Sequence, residues 1–301
     1  MNPKTSSNQI DELMRGVIDP HVHSGPSTSQ RSLDHIELIK KASDAGYSAV
    51  VTKDHYYDGA ASAALVNNHY GHLGTRMFSG VALNQTTGGL NPYAVEHSAN
   101  LGGKYVWLPT FHCQNHMTWQ ATKSPFQHPG HAPGALPERP IDVLTGNNTV
   151  VDDLKQILDI IAQAGMVLAT GHLHVSEIYP IVHEAKARGV ENITMNHPEI
   201  IIEASLEDVA ELAQMGVYVE HSMAMFVEGG AAIFEPDLLK AHIDAAGIAQ
   251  TVIVSDLGQA TTIDPVSGMR ESIAMLLELG YSDDAIRTMT SRNAGHLLGI
   301  A

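Results

Sequence analysis

The sequence predicts an α/β protein built as a single (β/α)8 barrel, and two observations carry this prediction. Short apolar, β-rich runs alternate with longer segments of helical period, which is typical of βαβ units around a parallel sheet. Several helical segments are followed at once by a glycine, as a left-handed helix C-cap requires. These glycines are Gly46, Gly165, Gly189, Gly216, Gly247 and Gly280.

Eight short strands are predicted along the chain. They cover residues 16–19, 48–52, 77–83, 105–109, 166–170, 193–196, 217–220 and 251–255. The helical segments between them include residues 33–45, 151–164, 176–188, 206–215, 236–246 and 265–279, and residues 283–298 form a final amphipathic helix. A chain of 301 residues fits one barrel domain with additions, because such barrels often form one domain of about 250 residues.

Two segments lie outside this alternation. Residues 1–15 are predicted to form a polar leader with a short helix, and residues 16–301 the barrel domain. Residues 111–146 are rich in proline, glycine and histidine and are too long for an ordinary connection. Long loops in compact domains are often functional, so we expect a cap-like insertion after strand four.

The composition excludes several classes of protein. The formal net charge is −16, so a nucleic-acid partner would be repelled. No stretch approaches the roughly 20 apolar residues of a membrane span, and the N-terminus lacks an apolar signal region, so a cytoplasmic protein without a membrane partner is expected. The partner expected is a small-molecule substrate, and a homo-oligomer is left open. The lone cysteine, Cys113, leaves nitrogen and oxygen as metal ligands.

Histidine is unusually frequent, with 18 residues in the chain, and many of these follow the predicted strands. Catalytic groups of a (β/α)8 barrel lie at the carboxyl ends of its strands, so this position points to one functional rim. The rim residues in chain order are His21, His23, Lys53, His55, His112, His172, His174, His197, His221 and Asp256.

The spacing of His21 and His23 places both imidazoles on the same face of an extended segment. Imidazole and carboxylate ligands suit zinc, iron or manganese. A metal with an open position lowers the pKa of a bound water to about 7, which makes a nucleophile available. The sequence therefore predicts a divalent metal, zinc before manganese or iron, with one or two ions.

The His-x-His pair after strand one, single histidines after strands five and six and an aspartate after strand eight together resemble the amidohydrolase superfamily. Residues 291–299 are also similar to the C-terminal helix of many members. The resemblance implies that His21 and His23 bind a first metal, and that His172 and His197 bind a second metal or position the substrate. Asp256 would contact metal and act as general base and then acid. The implied activity is hydrolysis of an amide, cyclic amide, lactone or ester bond of a small molecule.

The sequence departs from this pattern at strand four. Many members bridge two metals there with a carboxylated lysine or a glutamate, whereas this chain reads Leu-Pro-Thr-Phe-His over residues 108–112. Lys53, at the end of strand two, is the predicted substitute, because a lysine at that depth needs a partner or a modification.

A second resemblance favours a different chemistry. Residues 52–55, Thr-Lys-Asp-His, resemble the second motif of the polymerase and histidinol phosphatase family, which shares the His-x-His opening. That family usually closes with Asp-x-His, whereas Leu257 and Gly258 follow Asp256 here. The alternatives to hydrolysis are phosphoester cleavage, deamination or decarboxylation on the same barrel, and a non-catalytic metal-binding barrel.

Five further residues are predicted to bind substrate: His55, His112, His174, His221 and Arg31. For the histidines, the alternative is a hydrogen bond within a loop. Arg31 is either a bidentate anchor for a substrate carboxylate or a solvated surface residue, and both interpretations stay open. Within the insertion, His116, His128 and His131 are expected to face solvent.

Overall fold

The computed structural model describes residues 7–125 and 136–300 and contains parallel strands with helices between them. The strands are β1 (Ile18–Val22), β2 (Ala49–Thr52), β3 (Arg76–Phe78), β4 (Gly80–Ala82), β5 (Tyr105–Trp107), β6 (Val167–Ala169), β7 (Ile193–Asn196), β8 (Tyr218–Ser222) and β9 (Thr251–Val254). Every pairing between these strands is parallel. The predicted α/β class is confirmed.

The strands pair as two sheets, one in the order β1-β2-β3 and one in the order β4-β5-β6-β7-β8-β9. A continuous ladder of eight strands, as a closed barrel predicts, is therefore not formed by the described residues. The break falls within the third predicted strand, where Ser79 separates β3 from β4. The Ser79 hydroxyl donates to the Thr52 carbonyl over 2.6 Å, and the Gly80 carbonyl accepts from the Gly59 amide over 3.1 Å, so neighbouring segments take up the polar groups at the break.

The helices are α1 (Ser7–Met14), α2 (His35–Asp44), α3 (Ala60–Tyr70), α4 (Pro92–Asn100), α5 (Gln114–Thr122), α6 (Asp152–Ala164), α7 (Val175–Ala187), α8 (Leu206–Gln214), α9 (Pro236–Ala246), α10 (Pro265–Glu278), α11 (Asp283–Arg287) and α12 (Asn293–Leu298). Helices α3, α4 and α5 were not among the helical segments predicted. The predicted final helix is divided by a π-helical turn at Thr288–Arg292. No helix in the described ranges is both long and apolar enough to cross a membrane.

Side chains from both sheets meet in one interior core. This core contains Ile18, Ala49, Val51, Ala82, Tyr105, Trp107, Val167, Ala169, Val252 and Val254. Helix α12 closes it at the amino ends of the strands with Ala294, Leu297 and Leu298. Just before these, the Asn293 amide donates to the Thr251 carbonyl over 2.6 Å, which ties α12 to the start of β9.

The segments that follow β1 and β9 are joined by backbone hydrogen bonds. The amide of Asp256 donates to the carbonyl of His21 over 2.9 Å, and the amide of His23 donates to the carbonyl of Leu257 over 2.8 Å. Gly258 continues this contact at φ 122°, and a Cβ there would lie 1.8 Å from the His23 carbonyl oxygen. These bonds fix the carboxyl end of β1 against the carboxyl end of β9.

Helix α1 lies within the predicted polar leader. Leu13 and Met14 at its end are buried, and the Arg287 guanidinium donates to the Glu12 carbonyl over 2.9 Å. The boundary between a leader over residues 1–15 and the barrel domain stays a prediction.

The close approach of β4 and β5 gives a test of the fold. A Cβ on Gly80 would lie 1.8 Å from the Tyr105 carbonyl oxygen, whereas a Cβ on Gly71 would meet nothing within 4 Å. We therefore expect Gly80→Ala to lower the free energy of unfolding by about 1–3 kcal/mol, the usual effect of overpacking. Urea unfolding measures this, with Gly71→Ala as the matched control. Equal stability of the two variants would contradict the β4–β5 contact.

Candidate functional site

Three predicted metal ligands lie together at the carboxyl ends of β1 and β9. His21, His23 and Asp256 are buried and each offers one ligand atom, and the three atoms lie within 4.8 Å of one another. The Asp256 Oδ1 atom is 3.2 Å from His21 Nε2 and 3.1 Å from His23 Nε2. The structure thus brings together two imidazoles and a carboxylate of a metal-binding type.

Each of the two imidazoles is also held by a hydrogen bond at its other nitrogen, Nδ1, which lies away from Asp256. The Nδ1 atom of His21 donates to the Glu220 carboxylate over 2.6 Å, and the Nδ1 atom of His23 donates to the Lys53 carbonyl over 2.8 Å. A neutral ring that donates through Nδ1 carries its lone pair on Nε2. His21 Nε2 is buried and has no hydrogen-bond partner among the described residues. Metal-binding histidines are usually held in this way, with the ring nitrogen away from the metal donating to a carboxylate or a carbonyl, so the donor set fits a divalent metal.

The protonation states agree with this arrangement. Burial lowers the pKa of His21 to about 3 and that of His23 to about 4, so both rings are neutral at neutral pH. Burial raises the pKa of Asp256, but His21, His23 and His197 lower it by a larger amount. The pKa of Asp256 therefore lies well below its ordinary value. The group therefore presents two lone pairs and a carboxylate, as metal ligation requires.

The backbone is unusual at three of the strand ends. His197 has φ 55° and Asp256 has φ 52°, which is the left-handed region that side chains other than glycine rarely enter. Gly171, before His172, has φ 64°, and a Cβ there would lie 2.3 Å from the Leu108 carbonyl oxygen. Residues other than glycine in this region, such as His197 and Asp256, concentrate at functional sites, where the surrounding structure holds them.

His172 and His197 lie beside the three-ligand group with their ring centroids 5.0 Å apart. The Nδ1 atom of His197 is 2.9 Å from the Ser222 hydroxyl and 3.7 Å from Asp256 Oδ2. Burial lowers the pKa of His197 to about 4 and that of His172 well below its usual value. The His172 Nε2 atom has no hydrogen-bond partner in the described part of the chain.

The other side of the His172 ring contacts His116 of α5, with the two Nδ1 atoms 2.8 Å apart. The prediction that His116 faces solvent is wrong, because α5 folds over the strand ends and buries it. His128 and His131 lie outside the described residues.

Lys53 follows β2 and is buried. Its Nζ atom has no hydrogen-bond partner within the described residues and lies 5.9 Å from the Trp107 ring centroid. Burial lowers the pKa of Lys53 to about 8, and burial raises the pKa of Glu220 to about 7. The predicted substitute bridge therefore lines the site, although its contact with a metal stays a prediction.

Strand β5 is the fourth predicted strand, at whose end the sequence lacks the bridging lysine or glutamate of many amidohydrolases. Its end carries a chain of hydrogen bonds instead. The Thr110 hydroxyl contacts His55 Nδ1 over 2.8 Å and accepts from the Asn84 amide over 2.7 Å. The His55 ring stacks on Phe111, with centroids 3.9 Å apart, and on His23, with centroids 5.4 Å apart. These contacts hold His55 beside the metal-binding group.

A cavity of about 490 Å³ opens at this rim. Eight of the predicted site residues belong to the metal-binding group or line the cavity: His21, His23, Arg31, Lys53, His55, His172, His197 and Asp256. The cavity also has an apolar wall of Phe111, Trp119, Ile200, Ile201 and Met225.

Three predicted substrate contacts lie away from the cavity. His221 is directed to the other face of β8, where it forms a short hydrogen bond with Glu199, because neighbouring strand residues alternate and Glu220 points inward. His174 caps helix α7 and accepts from the Ser176 amide over 3.2 Å. His112 is buried 3.6 Å from Glu138.

Several site residues were missed by sequence reasoning. Glu220 precedes His221, and the period-two rule used for His21 and His23 would have placed it inward once the strand register was known. Asn84 directly follows a predicted strand and could have been found by its position. Trp119 gave no comparable signal, because its place depends on how α5 folds back over the rim.

The chain is similar in sequence to one protein family and in structure to several enzymes. Residues 16–220 match the model described as "Family of unknown function (DUF6282)". A search of curated proteins found no match.

Three solved structures share the fold over nearly their full length. An amidohydrolase from Pseudomonas aeruginosa is 14% identical with a TM-score of 0.65, covering 96% of this chain and 98% of its own. The probable dipeptidase PvdM from the same organism is 12% identical with a TM-score of 0.64, covering 97% of each chain. An amidohydrolase from Burkholderia multivorans with bound zinc is 9% identical with a TM-score of 0.61, and the match covers 95% of this chain and 99% of that one. The resemblance to the amidohydrolase superfamily is confirmed at the level of the fold, and the chain belongs to the DUF6282 family.

Proposed function

We propose that the protein is a metal-dependent hydrolase of the amidohydrolase type, which cleaves an amide, cyclic amide, lactone or ester bond of a small molecule. The observation that carries this proposal is the buried group of His21, His23 and Asp256 beside a cavity of about 490 Å³. The fold shared with two amidohydrolases, one solved with bound zinc, supports it.

His21, His23 and Asp256 would hold the metal, and zinc suits two imidazoles and a carboxylate, with manganese or iron as alternatives. When bound, a divalent metal supplies Lewis acidity and makes water a stronger nucleophile near neutral pH. His172 and His197 would hold a second ion or position the substrate. The buried Nζ atom of Lys53 supports a carboxylated lysine as the bridge, and that interpretation requires two metals per chain.

Asp256 is the proposed proton carrier. Its carboxylate is ionised in these surroundings, because three imidazoles lower its pKa below the ordinary value. Asp256 accepts the proton of the attacking water and returns it to the leaving group, as general base and then acid. His197, 3.7 Å from Oδ2 and bound to the Ser222 hydroxyl, orients the substrate beside this carboxylate.

We further propose that residues 16–301 form one (β/α)8 barrel domain, since side chains of both sheets share the interior core. The cap predicted over residues 111–146 is kept in this proposal for its described parts, residues 111–125 and 136–146. Phe111, His116 and Trp119 of this segment line the cavity, which supports the assignment.

Replacement of Asp256 tests the proposed reaction. Metal-replete Asp256→Asn should lose about 10²- to 10⁴-fold in kcat/KM on whichever amide, lactone or ester of a substrate panel the wild type cleaves, because general acid–base catalysis is removed. The exposed Asp244, paired with Lys240 on α9, gives the matched control Asp244→Asn, which should keep full activity.

Reaction in ¹⁸O-labelled water completes this test. A hydrolase incorporates label into the product, whereas a decarboxylase releases carbon dioxide without consuming water. Turnover that Asp256→Asn leaves intact, or a product without label, would refute the proposal. Absence of any turnover across the panel, with metal bound, would favour the non-catalytic barrel.

Glu220 should tune the affinity for metal. Glu220→Gln removes the carboxylate that accepts from His21 Nδ1, so zinc affinity should fall about 10- to 100-fold in a chelator competition. Glu199→Gln is the matched control, since it alters another buried His–Glu pair that faces away from the cavity. Equal zinc affinity of the two variants would exclude Glu220 from the metal site.

A further inference from the structure

We infer that the cavity accepts a substrate composed of a carboxylate joined to an apolar group of the size of an aromatic ring, and that Arg31 binds the carboxylate. The inference rests on the proposed function, because it names the substrate class of the same site. Arg31 is then a substrate anchor and not a solvated surface residue.

Arg31 lines the cavity without a counter-ion. Across residues 7–125 and 136–300, no carboxylate oxygen lies within 4.0 Å of a guanidinium nitrogen of Arg31. The buried Nε atom of Arg31 has no hydrogen-bond partner in these ranges. Asp54 and Asp256 are its neighbouring carboxylates but form no such pair with it. A guanidinium stays charged in proteins, so a partly buried one is stabilised by an anion that reaches it.

The backbone around Arg31 is fixed relative to the metal-binding group. Arg31 forms an antiparallel bridge with Gln259, and the Ser32 amide donates to the Gly258 carbonyl over 2.9 Å. Gly258 is two residues from Asp256 and packs on the carbonyl of His23. An anion held by Arg31 therefore has a defined position relative to the reacting bond, which is what orientation of a substrate requires.

The charge of the cavity contrasts with that of the whole chain. The chain carries a net charge of −16, but among the described residues that line the cavity Asp256 is the only carboxylate, and it belongs to the metal-binding group, whereas Arg31 is a cation outside that group. Such a cavity favours an anionic ligand, and the rest of the surface repels one.

The apolar wall of the cavity would contact the other end of the ligand. Phe111, Trp119, Ile200, Ile201 and Met225 line the cavity from α5 and from the segments after β5, β7 and β8. Apolar walls with a few fixed polar groups are typical of sites for small organic ligands. One planar guanidinium binds a carboxylate in a bidentate pair, and its single positive charge balances the single negative charge of a carboxylate but not the two charges of a phosphate dianion.

The test compares 3-phenylpropanoate with the neutral 3-phenylpropanamide by calorimetric titration of metal-free and zinc-loaded protein. The wild type should bind the carboxylate about tenfold or more tightly than the amide, the usual effect of a hydrogen-bonded charge. Arg31→Met should abolish this preference, and Arg31→Lys should keep part of it. Arg76→Met, at the exposed start of β3, is the matched control and should keep it fully.

Two results would overturn the inference: equal affinity of the wild type for both probes, or a preference for the carboxylate that Arg31→Met retains. Circular dichroism of each variant shows that the fold is kept. The inference would also be overturned if 2-phenylethylphosphonate bound more tightly than 3-phenylpropanoate and this binding required Arg31, because the preferred ligand would then be phosphate-like. Because the readout is binding, failure of hydrolysis and failure of this inference are separate outcomes.

Discussion

The site depends on two backbone hydrogen bonds between the segments that follow the first and last strands. Because Asp256 donates to His21 and Leu257 accepts from His23, the carboxylate and both imidazoles keep one relative position. Gly258 is needed for this contact, since any side chain there would collide with the His23 carbonyl. The metal-binding group is thus formed where two ends of the chain, more than 230 positions apart, are joined.

Burial gives this junction its chemistry. It keeps the histidines neutral and therefore able to ligate, while the Glu220 carboxylate and the Lys53 carbonyl fix which nitrogen carries the lone pair. The same burial strengthens the electrostatic interactions of each charged group at the cavity, because charges interact more strongly where water is excluded. We propose that Arg31 acts there on the substrate and that Lys53 acts on the metal.

Much of the site followed from the sequence, because strand ends are recognisable and period two fixes the direction of alternate side chains. His21, His23, His172, His197 and Asp256 were found in this way and do meet at one rim. His221 was placed on the wrong face, since a shift of one residue in the strand reverses every side chain. The break at Ser79 and the burial of His116 depend on contacts between distant segments, which local patterns do not encode.

The central claim is that His21, His23 and Asp256 ligate one metal ion. Anomalous diffraction from crystals grown with zinc, recorded on both sides of the zinc absorption edge, tests it most directly. The account predicts an anomalous peak about 2.0–2.2 Å from His21 Nε2, His23 Nε2 and the Asp256 carboxylate. Zinc-replete crystals without a peak at these atoms, or with the ion held by other residues, would contradict it.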